Sequence, residues 1–247
     1  MGQQILGLVI LLATLPLLFY LAARMRAGRV FQLRVLSGVD ELPGFVGRSA
    51  ETGHPVHVSV GVAGVGGDLT AHTWAGLGLL SELADEAAAC DTPLIVTVAD
   101  PTVLPIAQNI LRRAYQRHGN PESYDPTDVR FIAPIPLGYA AGVSSLLDQE
   151  RLSANVMVGS FGLEYVLIGE TGADQRLRQI VGAAEPESLP FVYATADQTM
   201  IGEEMFAASA YTSGLPAQLA SLVTEDVFRW LVVAGILVAA LFKILVQ

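Results

Sequence analysis

The chain holds 247 residues, 52% of them hydrophobic, with a mean hydropathy of +0.48 and a formal net charge of −10. That apolar content exceeds what one soluble core needs, so part of it belongs in lipid, and the acidic balance excludes a nucleic-acid partner held by charge. The single lysine, Lys243, leaves no P-loop, Schiff-base or kinase-type lysine, and the single cysteine, Cys90, leaves no intramolecular disulfide or cysteine-built zinc site.

Residues 5–23, ILGLVILLATLPLLFYLAA, are 19 consecutive uncharged residues. As a helix they reach about 28 Å, the depth of a bilayer's hydrocarbon core. A cleaved signal peptide and a buried core helix are the competing readings. No basic segment precedes the run, and it is longer than a usual signal-peptide core, so a retained transmembrane helix is predicted. Arg24, Arg26, Arg29 and Arg34 follow it, while no side chain before it is charged. By the positive-inside rule the middle of the chain is then cytoplasmic, with both termini outside an inner (cytoplasmic) membrane.

Residues 30–36, VFQLRVL, alternate and predict an extra strand, and VDELPGFVGRSAETG predicts a short helix ending at Gly53. An α/β domain is expected over residues 30–224. Between residues 35 and 227 lie eight Arg, no Lys and all 24 Asp plus Glu, a balance of −16 that anionic surfaces would repel.

Five apolar runs rich in β-branched residues predict strands: VHVSVGV (56–62), LIVTVA (94–99), VRFIA (129–133), NVMVGS (155–160) and FVYATA (191–196). Their near-continuous hydrophobicity predicts a sheet covered on both faces. Helices are predicted over 69–89, after Asp100 to Gly119, over 138–149 and over 198–211; Asp100 is the expected N-cap and Pro101 the first residue of the second of these. Residues 161–190 are ambiguous, LEYVLIGE fitting helix or strand and RQIVGAA a strand. The alternation predicts βαβ units: a three-layer Rossmann-like domain with a mostly parallel sheet of about five or six strands.

A second transmembrane helix is predicted over 227–246, with Thr224 as N-cap, Glu225 and Asp226 in the first turn, and Arg229, Trp230 and Lys243 near its ends. Gly235 and Ala239 form a small-xxx-small pair suited to close helix packing.

Ligands of open parallel sheets bind at the carboxyl ends of the strands. There GVAGVGGD supplies Gly61, Gly64, Gly66, Gly67 and Asp68, spaced G-x-x-G-x-G-G; the dinucleotide fingerprint G-x-G-x-x-G would need glycine where Leu69 stands. Two readings follow: a structural turn whose Asp68 caps the next helix, or a phosphate-binding turn with Asp100 on a ribose hydroxyl. Ser160, in VGSFG, sits as a nucleophile elbow would, but Val158 replaces the first glycine and no histidine follows His118, so a capping serine is the plainer role. Asp197 joins Asp100 as a strand-end carboxylate; with Asp68, Glu164, Glu170, Glu203 and Glu204 they could supply oxygen ligands for Mg²⁺ or Ca²⁺, although N-capping is simpler and no metal is expected. The candidate ligand-binding set is therefore Gly64, Gly66, Gly67, Asp68, Asp100, Ser160 and Asp197. No cofactor is demanded by any motif, a nucleotide being the one that the turn would take.

The phrases PLIVTVADPTVLPIAQNILRRAY, YDPTDVRFIAP, VGSFGLE and FVYATADQTMIGEEMFAA, spread over residues 48–227, resemble a family of uncharacterised bacterial membrane-associated proteins. The resemblance implies no catalytic residue. The expected function is a non-enzymatic scaffold or subunit of a homo-oligomeric membrane assembly, its partners the lipid bilayer and further copies of itself through the transmembrane helices and the α/β domain. The alternative is a membrane-tethered enzyme or sensor binding a nucleotide or similar small ligand at Gly61–Asp68 and Asp100. Free backbone N–H groups above Gly64–Asp68 would favour the alternative, and Asp68 filling that crevice would favour the scaffold.

Overall fold

The computed structural model describes residues 2–27, 36–213 and 215–245. The chain divides into two compact units, one of Met1–Arg34 with Ser213–Gln247 and one of Val35–Thr212. The elements are α1 (Gly2–Arg26), α2 (Ser37–Asp40), α3 (Leu42–Thr52), β1 (Val56–Gly61), α4 (Thr70–Ala89), β2 (Leu94–Val98), α5 (Leu104–Arg117), β3 (Val129–Phe131) and α6 (Pro136–Gln149). They continue with β4 (Ala154–Ser160), α7 (Tyr165–Asp174), β5 (Arg178–Ala183), α8 (Leu189–Thr195), β6 (Gln198–Ile201), α9 (Glu203–Ser213) and α10 (Pro216–Leu245).

The middle unit is α/β, as its alternating pattern predicts. Its six strands are all parallel in the order β3-β2-β1-β4-β5-β6, so the chain reverses its direction of travel across the sheet between β1 and β4. This is the strand order of dinucleotide-binding folds, and β1 and β4 flank its switch point. Val56, Val58 and Val60 of β1 are buried, as are Val96 and Val98 of β2 and Val156 and Val158 of β4. The opposite face carries Ile95, Met157 and Val181, packed in one cluster with Tyr139, Val143, Tyr165, Ile168 and Val192 from α6, α7 and α8. Strands enclosed on both sides are buried at every position rather than on one face alone.

Several boundaries differ from the expectation. FVYAT is helix α8, not a strand, and residues 198–201, expected in a helix, form edge strand β6. Pro190 in the first turn of α8 suits a helix start, and β6 pairs with β5 from Ile180↔Gln198 to Ala183↔Ile201, so sheet pairing outweighs local propensity. Helix α5 starts at Leu104, and Asp100 is not its N-cap. LEYVLIGE resolves as α7, and α3 ends at Gly53 with φ +69°, as expected. Residues 30–35 of the expected extra strand lie outside the described residues.

The other unit consists of α1 and α10, with Leu21 and Ala22 of α1 buried together with Ala220 of α10. Thr224 is not a cap: α10 begins at Pro216, and the Thr224 hydroxyl donates to Ala220 O at 2.7 Å inside the helix. Trp230, Leu231, Val232, Val233, Ile236 and Leu237 stand exposed on α10. Gly235 has nothing within 4 Å of where a Cβ would be, and the side chain of Ala239 lies outside the described residues. Among the described residues, no helix is long and apolar enough to cross a membrane.

Candidate functional site at the turn after β1

Strand β1 leaves the sheet through an irregularity, its register with β4 shifting between Ser59 and Gly61. Gly61 has φ +87°, and a Cβ there would lie 2.6 Å from the backbone N and O of Ser160, so only glycine fits. Val62 N–H donates to Ser160 O at 2.9 Å. Two threonines then hold the turn. Thr70 Oγ1 accepts from Gly66 N–H at 2.9 Å and donates to Gly67 O at 2.6 Å, while Thr102 Oγ1 accepts from Val65 N–H at 3.1 Å. Thr73, on the first turn of α4, donates towards Ala63 O and Gly64 O at 3.1 Å each. One turn later a Cβ at Gly76 would come within 2.2 Å of Val158 O, so glycine lets α4 lie directly on β1 and β4.

Between the ends of β1 and β2 lies an open cavity of about 560 Å³, lined by Ala63, Gly64, Val65, Gly67, Asp68, Leu69 and Asp100. The Asp100 carboxylate stands over Gly64, where an added Cβ would meet its atoms at 2.4 to 2.7 Å. Asp100 Oδ1 accepts from Thr102 N–H at 2.8 Å and from the Thr102 hydroxyl, which fixes the carboxylate against the turn. Asp68 does not fill the crevice. It is exposed, and among the described residues it makes no hydrogen bond; the N-cap position of α4 is Leu69, with no side-chain cap bond. The N–H groups of Ala63, Gly64, Gly67 and Asp68 have no partner among the described residues.

The remaining candidates fall elsewhere. Ser160 ends β4 opposite Gly61 and is 2% exposed, and no histidine among the described residues hydrogen-bonds to it, so it is a packed strand residue rather than an exposed nucleophile. Asp197 precedes β6 at the amino edge of the sheet, away from the crevice, because the segment before it is a helix. Its Oδ2 accepts from Gln179 N–H at 2.7 Å, and its Oδ1 lies 3.7 Å from Arg178 Nε. At the carboxyl edge, Glu185, just after β5, accepts from Phe161 N–H and Glu164 from Gly162 N–H, so the loop after β4 spends these donors on nearby carboxylates. His72 Nε2 faces Glu185 Oε1 at 3.9 Å. Among the described residues no group of three or more His, Cys, Asp and Glu could hold a metal ion.

One polar feature has no counterpart in the expected site. His57 is buried, with Nδ1 2.7 Å from Asn155 Oδ1 and Nε2 2.9 Å from Thr97 Oγ1. Burial pushes its pKa down to about 4, so the ring is neutral. Tyr139, also buried, lies 2.8 Å from Thr97 Oγ1 and 2.5 Å from Ser59 Oγ, and burial pushes its pKa up to about 12. The signal was in the sequence: His57, Ser59, Thr97, Asn155 and Gln179 all fall at alternate positions of otherwise apolar strands and so share one face.

The chain belongs to the family described as a domain of unknown function (DUF6754), which it matches over residues 1–247. That match carries neither the bacterial origin nor the membrane association that the resemblance implied. No curated protein and no solved structure matches the chain.

Proposed function

We propose that this member of the DUF6754 family is a membrane-tethered domain that binds a ribose-bearing small ligand in the crevice between β1 and β2. The single observation that carries the reading is the arrangement around Gly64: a carboxylate held rigidly at the end of β2, beside a glycine turn whose N–H groups at Ala63, Gly64, Gly67 and Asp68 are not consumed by the fold. A carboxylate at this place suits the two hydroxyls of a ribose, and free N–H groups at a helix start suit one phosphate or carbonyl oxygen.

The charge of the crevice narrows the ligand. Asp68 and Asp100 both line it, and no Lys or Arg does. A triphosphate would meet two carboxylates without a cation, so adenosine and NAD rank above ATP and GTP. Thermal-shift measurements on the detergent-solubilised chain test this, since a ligand at 100 times its Kd adds about 2.7 kcal/mol. A shift with adenosine exceeding that with ATP supports the reading, and no shift with adenosine sinks it.

The tether is supported by the 19 uncharged residues of 5–23, which fall within the 25-residue helix α1, and by the exposed apolar residues Trp230–Val233 on α10. The arginines at 24, 26, 29 and 34 support a cytoplasmic body with both termini outside. That apolar surface of α10 also favours a second reading, a subunit of a homo-oligomeric membrane assembly. A detergent-extracted particle of one 26.2 kDa protomer would end that second reading.

A further inference from the structure

The register of β1 with β4 shifts between Ser59 and Gly61, and Ser59 Oγ accepts from Gly61 N–H at 3.2 Å. The Ser59 hydroxyl also lies 2.5 Å from the Tyr139 hydroxyl on α6, and the far end of the row makes Ser59 the donor there. Tyr139 in turn donates to Thr97 Oγ1 at 2.8 Å. Its other acceptor there is Thr97 O at 3.3 Å. The Thr97 hydroxyl donates to His57 Nε2 at 2.9 Å, and His57 Nδ1–H donates to Asn155 Oδ1 at 2.7 Å.

The far end sets the direction. Asn155 Nδ2 donates to Gln179 Oε1 at 2.8 Å, and Gln179 Nε2 donates to Gly169 O at 3.1 Å and Thr195 O at 2.9 Å. With the Gln179 amide anchored on two backbone carbonyl oxygens, each donor follows in order through Asn155, His57, Thr97 and Tyr139 to Ser59, and His57 has one tautomer.

We propose that Ser59 and Tyr139 are positioning residues for the glycine turn, joined through Thr97 to a buried His57 locked with its proton on Nδ1, so that the row running under four strands and α6 sets the direction in which β1 delivers Gly61 to the crevice. Its bearing on ligand affinity rests on the ribose-ligand reading above; its bearing on the turn does not. Neither side chain lines the crevice, so both act through Gly61.

The test combines amide hydrogen exchange with adenosine binding, on the detergent-solubilised full chain, for wild type, Tyr139→Phe and Ser59→Ala. Loss of one buried hydrogen bond corresponds to exchange over residues 61–68 about tenfold faster in both variants. Exchange over β5 is expected to stay at the wild-type rate, and adenosine Kd to weaken by a similar factor. Ser59→Ala deletes a single oxygen and keeps the test decisive should Tyr139→Phe not fold. Nitrogen-15 NMR of His57 is expected to show one neutral tautomer protonated at Nδ1. Unchanged exchange over 61–68 in both variants, or a His57 protonated at Nε2, overturns the proposal. If wild type binds no adenosine but the variants loosen the turn, the ligand reading falls and the positioning role stands. If wild type binds and the variants bind equally well with an unaltered turn, the positioning role falls and the ligand reading stands.

Discussion

Acidifying the protein should destabilise it through His57 in a way that one substitution removes. The imidazole is fully enclosed, and burial pushes its pKa down to about 4 from the ordinary 6.5. Below pH 6.5 the unfolded chain therefore binds a proton that the folded chain refuses. Stability from this group is complete above pH 6.5, falls as pH drops from 6.5 towards 4, and changes no further below 4. The gap is worth about 3 kcal/mol in full and about 2 between pH 7 and pH 4.5. For a body of this size that is a fall in Tm of roughly 5–8 °C. His57→Gln is the informative variant: its amide can donate to Asn155 and accept from Thr97 as the ring does, but it does not titrate. Thermal unfolding of both proteins at pH 7 and pH 4.5 isolates the effect, because other groups are common to both. Glu82 and Glu86, whose pKa values burial raises, favour the folded state as pH falls, and Asp125, lowered by its bonds from Thr127, opposes it. The wild type should lose about 2 kcal/mol more than His57→Gln over this interval. Equal losses would refute the assignment of a buried, neutral His57.

Three further outcomes follow from the same geometry. Gly76→Ala should destabilise by about 3 kcal/mol, read as a lower Tm, because a methyl 2.2 Å from Val158 O must push α4 off the sheet. Asp68→Asn should tighten binding of phosphate-bearing ligands two- to fivefold, roughly the effect of removing one like charge at a helix N-terminus, and leave adenosine affinity unchanged by isothermal titration. Alkaline carbonate washing of membranes should leave the full chain in the pellet, and removal of residues 1–27 together with 227–247 should release the remainder to the supernatant.

The fold was legible where burial is symmetric. Val56–Val60, Leu94–Val98 and Ala154–Val158 are mostly apolar and buried at every position because helices cover both faces, and four of the five expected strands are present. The fifth was misplaced because FVYAT carries strand-forming residues on a helix that buries only Val192, while the strand that replaces it, Gln198–Ile201, is polar at two positions and owes its conformation to β5. The glycine turn was visible as a turn, and Asp100 as its neighbour. What could not be read was which oxygen satisfies which N–H: Asp68 is nearest in sequence, yet Thr70 and Thr102 hold the turn, and Thr102 reaches it from another strand's loop. Asp197 went astray with the boundary of α8. The polar row was overlooked because a histidine, an asparagine and a glutamine each look isolated until parallel register places Asn155 between His57 and Gln179.

Isothermal titration of adenosine into the detergent-solubilised full chain, beside Asp100→Asn, addresses the crevice most directly. The proposed function requires saturable binding at one site per chain that Asp100→Asn weakens at least tenfold while its Tm stays near wild type, in keeping with the loss of a charged hydrogen bond worth about 1.5–3 kcal/mol. Absence of saturable binding in the wild type, or binding that Asp100→Asn leaves intact, would contradict it.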